Sequence, residues 1–282
     1  MRLRIGVHYD LRRAEAVEPD LAVLGDHAAA VEAAGGDIVW VAERPTEPDA
    51  LIAAALPVCA ALAVTTESLR VGTAVLPLLL HHPLRVAEDA ATLDALSGGR
   101  FELGVGLGGD RAALSGFGID GAGRAERLEE ALELVTAAWR GPLEFKGRFF
   151  QVEGIEVVPR PVSEGGPPVW VGAGAAVSQR RAARIGTGLI FGADTSPGPF
   201  LEAWAGAGRD PVALRLAVLL PAVALAEPVA TVEQCLAALP AAASAAVIDL
   251  VFSVSTVGEL DGVLGAVARL HRAHPTRREG IY

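Results

Sequence analysis

The sequence predicts an α/β chain in which eight β/α units form a (β/α)8 barrel. Three observations lead there. Short apolar runs alternate with Ala-rich helical stretches along all 282 residues, and that length suits one barrel domain over 1–282. The strand candidates are continuous apolar runs, as in strands covered on both faces, and not the alternating runs of a half-exposed sheet. No break in composition marks a domain boundary. A doubly wound sheet is the rival arrangement that the same alternation permits.

The elements follow in order. Residues 3–9, LRIGVHY, form the first strand. Residues 20–34 are helical, because Leu21, Leu24, Ala28 and Val31 recur at three- and four-residue steps, and Gly35-Gly36 ends the run. Residues 37–43 form the second strand, and 48–63 the second helix, with Pro48 near its first turn. Residues 69–77 form the third strand. Pro83 opens the third helix, Gly98-Gly99 closes it, and 100–108 form the fourth strand. Over 124–140, Leu128, Ala131, Leu132, Val135 and Trp139 make one apolar stripe. The stretch 141–168 is rich in Pro and Gly and reads as an irregular insertion. Strands then fall at 168–174, 187–192, 214–223 and 247–253, with helices at 175–185 and near 197–206, 231–239 and 256–273.

Composition narrows the function. The chain is 51% hydrophobic and 21% charged, which is a globular composition. Its net charge of -10 argues against nucleic acid as a partner. The longest apolar run, 216–226, is too short to span a bilayer and contains Pro221, so the reading is a cytoplasmic protein without membrane association. Cys59 and Cys235 fall in Ala/Leu-rich helical segments and read as small buried apolar residues.

A (β/α)8 barrel carries its chemistry at the C-terminal ends of its strands. That rule collects His8 and Asp10, then Glu43 and Arg44, then Thr73, Ala74 and Val75, then Gly106, and finally Gly172 and Gly174. The third, fourth and fifth strand ends carry small residues, which let a flat ligand approach the backbone. After the fifth, VGAGAAVS runs straight into a helix. The outward amides and dipole of that helix favour an anion over Gly172, Gly174, Ala175, Ala176 and Val177, with Ser178 able to donate. Arg124 stands in a first helical turn, against the dipole's preference, which makes sense if an anion lies beside it. No metal is expected: His81 and His82 are adjacent and diverge, and no other histidine and carboxylate spacing suits an ion. Nucleophile-elbow and phosphate-loop motifs are absent, and GVGLGG at 104–109 lacks the spacing of a dinucleotide fingerprint.

Long stretches of the chain, VWVAE (39–43), LRVGTAVLPLLLHHPLRVAEDAATLDALSGGRFELGVGLGG (69–109) and GFGID (116–120), resemble bacterial luciferase-like flavin- and F420-dependent oxidoreductases. The family pattern is matched at His82-Pro83, Arg85, Ala87-Glu88, Leu93-Asp94, Ser97, Gly99-Arg100, Gly104 and Gly106, and again at Arg124, Arg127 and Glu130. The likeness is close over residues 1–190 and looser beyond.

The resemblance implies a luciferase-like TIM barrel with a shortened insertion region and a homodimer built through helices 2 and 3. It implies F420, with FMN as the alternative, packed against a non-proline cis peptide at Ala74-Val75. The cofactor's phosphate would fall to Arg124, the Gly172–Val177 amides and Ser178. The implied activity is hydride transfer to or from a small organic substrate. The alternatives are an FMN-dependent monooxygenase and a non-catalytic, flavin-binding or partner-subunit homologue. The chain departs from the family in two places. Where many relatives carry histidine, this chain has Arg44, and a guanidinium cannot act as a base near neutral pH; it would grip an acidic substrate or the F420 tail. Leu107 stands where flavin binders of the family place an arginine. His8, Glu43 and Arg44 are the candidates for substrate-side catalytic groups.

Overall fold

The computed structural model of the chain describes residues 2–13, 21–108, 111–240, 243 and 246–274. Asp20 of the first expected helix and Gly109 of the GVGLGG stretch lie outside them. In chain order the elements are β1 (Arg2–Tyr9), α1 (Val23–Ala33), β2 (Ile38–Val41), α2 (Ala55–Thr65), β3 (Arg70–Thr73), β4 (Leu76–Pro77), α3 (Pro83–Ser97) and β5 (Phe101–Gly106). Then come α4 (Arg111–Gly116), α5 (Arg124–Ala138), β6 (Leu143–Lys146), β7 (Gln151–Ile155), β8 (Val169–Gly172) and α6 (Ala176–Ile185). The last are β9 (Gly188–Gly192), α7 (Gly198–Gly206), β10 (Arg215–Leu220), α8 (Pro228–Ala238), β11 (Val247–Val254) and α9 (Leu260–Ala273).

Every strand pairing in the barrel is parallel. The order runs β3-β2-β1-β11-β10-β9-β8-β5, and β3 also pairs with β5, so the sheet closes on itself. With β4 as a continuation of β3, eight strands make the ring, which decides against the doubly wound alternative. The strands are buried almost end to end, as their apolar runs require.

Two indoles fill the middle of the barrel. Trp40 and Trp170 meet edge to face with ring centroids 5.2 Å apart. Neighbouring strands make room for them with glycine: a Cβ at Gly72 would lie 2.5 Å from Trp40, and one at Gly188 would lie 2.5 Å from Trp170. The N-terminal end of the barrel is closed by charge. Arg4 donates to both Asp249 oxygens at 2.6 Å and to Glu102 at 2.6 and 3.2 Å, while Arg70 and the Trp170 indole also bond Glu102. Burial opposes ionisation of Glu102, but Arg4 and Arg70 outweigh it and hold its pKa well below the ordinary range.

The structure corrects several boundaries. The second helix begins at Ala55 and not at 48. Its start signal is Pro57, tolerated in the first turn because that N–H has no intrahelical partner. The third strand is interrupted at Ala74-Val75, whose peptide bond is cis. The 141–168 stretch is not wholly irregular: β6 and β7 form an antiparallel hairpin, and the Glu130 carboxylate accepts the turn amides of Arg148, Phe149 and Phe150. The seventh barrel strand stops at Leu220, because Pro221 offers no donor to continue it. Cys59 is fully buried, as expected, but Cys235 is only partly so. Among the described residues no helix is long and apolar enough to cross a membrane.

Candidate active site

A cleft of about 420 Å³ opens at the C-terminal ends of β2, β4, β5 and β8. One wall is Ala74, Val75 and Pro77. Its flanks are Gly106 and Gly172, and the shape depends on both: a Cβ on Gly106 would lie 2.6 Å from the Val75 side chain, and one on Gly172 would lie 2.8 Å from it. Leu80, Leu107, Ala113 and Leu114 enclose the apolar side, and Arg124 stands at one end. Beyond Arg124 the surface continues into a second hollow lined by Arg111, Ile119 and Asp120.

His8 sits beneath this wall and does not line the cleft. Its Nε2 lies 2.9 Å from the Ala74 carbonyl, an acceptor only, so the proton belongs on Nε2. Nδ1 is then the acceptor for the Ser253 hydroxyl at 3.0 Å. Burial holds the imidazole below its ordinary pKa, against the opposing pull of Asp10 and the Ala74 carbonyl, and the ring stays neutral. Thr73 is also buried beneath the cleft. Its hydroxyl donates to the Gly104 carbonyl at 2.7 Å and accepts from the Gly104 amide at 3.0 Å, tying β3 to β5.

Glu43 and Arg44 reach the cleft from the end of β2. Glu43 Oε2 accepts from the Ala55 amide at 2.8 Å, so a carboxylate from another element stands at the N-terminus of α2. Its Oε1 is 2.6 Å from His81 Nε2. Arg44 makes a bidentate contact with Asp10, Nε to Oδ1 at 2.9 Å and Nη2 to Oδ2 at 2.6 Å, and Nη1 stands 3.7 Å from Glu47. Arg44 is thus paired within the protein, where the sequence has it gripping an acidic substrate or the F420 tail. Burial would raise the Asp10 pKa, but the Arg44 hydrogen bonds and charge bring it below the ordinary value.

The fold thus brings Glu43, Arg44, Ala74, Val75, Gly106, Arg124 and Gly172 onto one cleft. Gly174, Ala175, Ala176 and Val177 are exposed just past Gly172, and Ser178 is half-buried. No side chain caps the N-terminus of α6, so its first amides face outward uncapped.

A family model described as luciferase-like monooxygenase matches residues 2–277. The chain belongs to the luciferase-like monooxygenase family. An F420-dependent glucose-6-phosphate dehydrogenase of Nocardia farcinica is 36% identical over 140 residues, 46% of this chain and 40% of that protein. The oxygenase component of a flavin-dependent trigonelline monooxygenase of Acinetobacter baylyi is 31% identical over 114 residues, 40% of this chain and 32% of that one. The chain therefore spans well under half the length of these curated relatives. The solved F420-dependent tetrahydromethanopterin reductase of Methanopyrus kandleri covers 95% of this chain and 98% of its own, with a TM-score of 0.72 at 16% identity, a likeness of fold.

Within this luciferase-like barrel, sequence reasoning missed three contacts. It left His81 unassigned, whereas His81 holds Glu43. It did not pair Arg44 with Asp10, although Asp10, at the next strand end, was visible. It gave His8 a substrate-side role, whereas His8 reaches the wall only through the Ala74 carbonyl. His82 caps the third helix, its side chain accepting the Leu84 amide at 3.3 Å.

Proposed function

We propose that this protein is a cytoplasmic oxidoreductase that binds F420, or FMN as the alternative, and uses it on a small organic substrate. The observation that carries the reading is the cleft itself: a wall at Ala74-Val75 that two flanking glycines leave room for, with a cation at one end. A tricyclic ring fits against that wall, and its phosphate fits Arg124 together with the uncapped amides at the start of α6 and the Ser178 hydroxyl. When bound, either cofactor supplies two-electron chemistry that the side chains do not. The chain's own contribution is binding, orientation and exclusion of water. Val75 backs the ring, His8 fixes the wall through the Ala74 carbonyl, and Leu80 and Leu114 screen the cleft. Glu43 and Arg44 face the substrate. The hollow beyond Arg124 sets Arg111 and Arg124 against Asp120, a net positive charge that favours F420, whose anionic tail extends past its phosphate.

The protein is also proposed to pair with a second copy through α2 and α3. These helices pack together, and Val64 and Leu96 stand 63% and 50% exposed on them. The unpaired thiols of Cys59 and Cys235 suit a reducing cytoplasm.

The test is a fluorescence titration of purified protein with F420 and with FMN. Saturable binding at micromolar concentration identifies the cofactor. No binding of either overturns the reading.

A further inference from the structure

Charge around the cleft is sorted by end. Arg124 marks the end nearest α5 and α6. The opposite rim is built from the ends of β1 and β2 and the loop that follows β2. There four carboxylates, Asp10, Glu43, Glu47 and Asp49, stand with two guanidiniums, Arg12 and Arg44, and a third, Arg13, is exposed on the outer side, its amide reaching the Asp49 carbonyl. Arg12 and Arg44 are spent inside the rim. Arg12 Nη1 reaches Glu47 at 2.6 Å and Asp49 at 3.2 Å, and its Nε stands 3.6 Å from Asp10. Arg44 gives Nε and Nη2 to Asp10, and its Nη1 stands 3.7 Å from Glu47. Asp10 has its pKa lowered and remains ionised through the neutral range.

Of these rim groups, Glu43, Glu47 and Arg44 line the cleft, so an anionic substrate entering here would meet two carboxylates for one guanidinium. A phosphate or carboxylate losing water needs a counter-charge, and a two-pronged donor serves it best. Arg44 has committed its Nε–Nη2 edge to Asp10, and its open Nη1 side faces the Glu47 carboxylate, which repels an approaching anion and tolerates a neutral oxygen. Between the two ends the surface is apolar, formed by Ala42, Pro45, Pro77 and Leu80 among others.

We infer that the cleft takes an uncharged, largely apolar small molecule bearing a carbonyl or hydroxyl oxygen, and rejects phosphorylated or carboxylated ones. This rests on the proposed function in one respect, that the Arg124 end is the cofactor's. It separates the chain from the sugar-phosphate substrate that the name of its Nocardia relative specifies. The two-ended field also orients an anionic cofactor, drawing its phosphate to Arg124 and away from the β2 rim.

The experiment places a thiol at the apolar boundary, Leu80→Cys in a Cys235→Ser background, Cys59 being fully buried. Cationic, neutral and anionic alkyl methanethiosulfonates are reacted with the cofactor-free protein, with each rate normalised to free cysteine. The cationic reagent is expected to react about tenfold faster than the anionic one, in the range by which a charged cleft raises local counter-ion concentration. Adding Glu47→Gln should shrink that ratio. An anionic rate equal to or above the cationic one overturns the inference. In a second arm, on protein loaded with F420, cyclohexanone is expected to slow labelling by the neutral reagent more than glucose 6-phosphate does. Equal or better protection by glucose 6-phosphate overturns the inference. Failure of F420 and FMN to bind counts against the proposed function alone, because the first arm needs neither.

Discussion

Replacing His8 by leucine is the most direct check on how the cleft wall is held. The side chain is buried, it donates to the Ala74 carbonyl at 2.9 Å, and it accepts from Ser253 at 3.0 Å. Leucine fills similar space, so the change removes hydrogen bonds and creates little cavity. Ser253 is partly exposed and can turn to water, whereas the Ala74 carbonyl is left without its partner. An unsatisfied buried acceptor costs about 1–3 kcal/mol. Taking about 2 kcal/mol, and about 2–4 °C per kcal/mol for a chain of this size, the melting temperature should fall by about 4–8 °C at pH 7.5. His8→Gln, which retains a donor, should lose less.

The pH dependence gives a second reading of the same variant. Burial depresses the His8 pKa in the folded state, so the unfolded chain binds the proton more readily. The contribution is therefore complete above the unfolded pKa of about 6.5 and is lost as pH falls through the folded value. His27, buried between Tyr9 and the Leu260 carbonyl, is depressed in the same direction and adds to this slope. Thermal unfolding followed by circular dichroism between pH 7.5 and 5 should show the wild type losing stability on acidification and His8→Leu losing distinctly less. A melting point within about 1 °C of wild type, or an unchanged acid slope, would refute the assigned role.

Three further outcomes can be measured. Arg124→Gln should weaken F420 binding about tenfold, or about 1.4 kcal/mol, with the gap closing in high salt; equal affinity at low salt removes Arg124 from the site. Gly106→Ala places a Cβ 2.6 Å from Val75 and should push that side chain into the cleft, so F420 affinity should fall about tenfold, at least as far as a lost contact of about 1.4 kcal/mol implies. Arg4→Met strands Asp249 without a counter-charge, leaves Glu102 only Arg70, and should lower stability by about 3–5 kcal/mol in urea titration; a loss below about 1 kcal/mol would mean those carboxylates are not ionised together.

What the sequence made legible was local. Apolar runs located all eight barrel strands, and the rule that barrels work at their C-terminal strand ends put Glu43, Arg44, Ala74, Val75, Gly106 and Gly172 on one list before any contact was known. The contacts among them were illegible because they join distant segments. Arg44 meets Asp10 across 34 positions, His81 meets Glu43 across 38, and Arg4 meets Asp249 across 245. Nothing in residue spacing encodes such pairings. The start of α2 was misplaced for a related reason. Pro48 and Pro57 both suit a first turn, and the choice between them is made by the Glu43 carboxylate accepting the Ala55 amide, an interaction from outside the helix.

The two ends of the barrel differ in how completely their polar groups answer one another. At the N-terminal end, Arg4 spends four of its five N–H donors on Asp249 and Glu102, Glu102 accepts from Arg4, Arg70 and Trp170, and Arg4, Glu102 and Asp249 are buried from water. At the C-terminal end the pairing is partial in a patterned way. Asp10, Arg12, Arg44 and Glu47 neutralise one another on the β2 rim, while Arg124 is exposed across the cleft and the first amides of α6 are uncapped. Arg124 and the first amides of α6 are exposed, so water answers them when no ligand is present, and an anion replacing that water would find a counter-charge and donors together. The donors open at this end are those that suit an anion. Hydrogen bonds and charge thus select the same face of the barrel that the strand-end rule selects from topology.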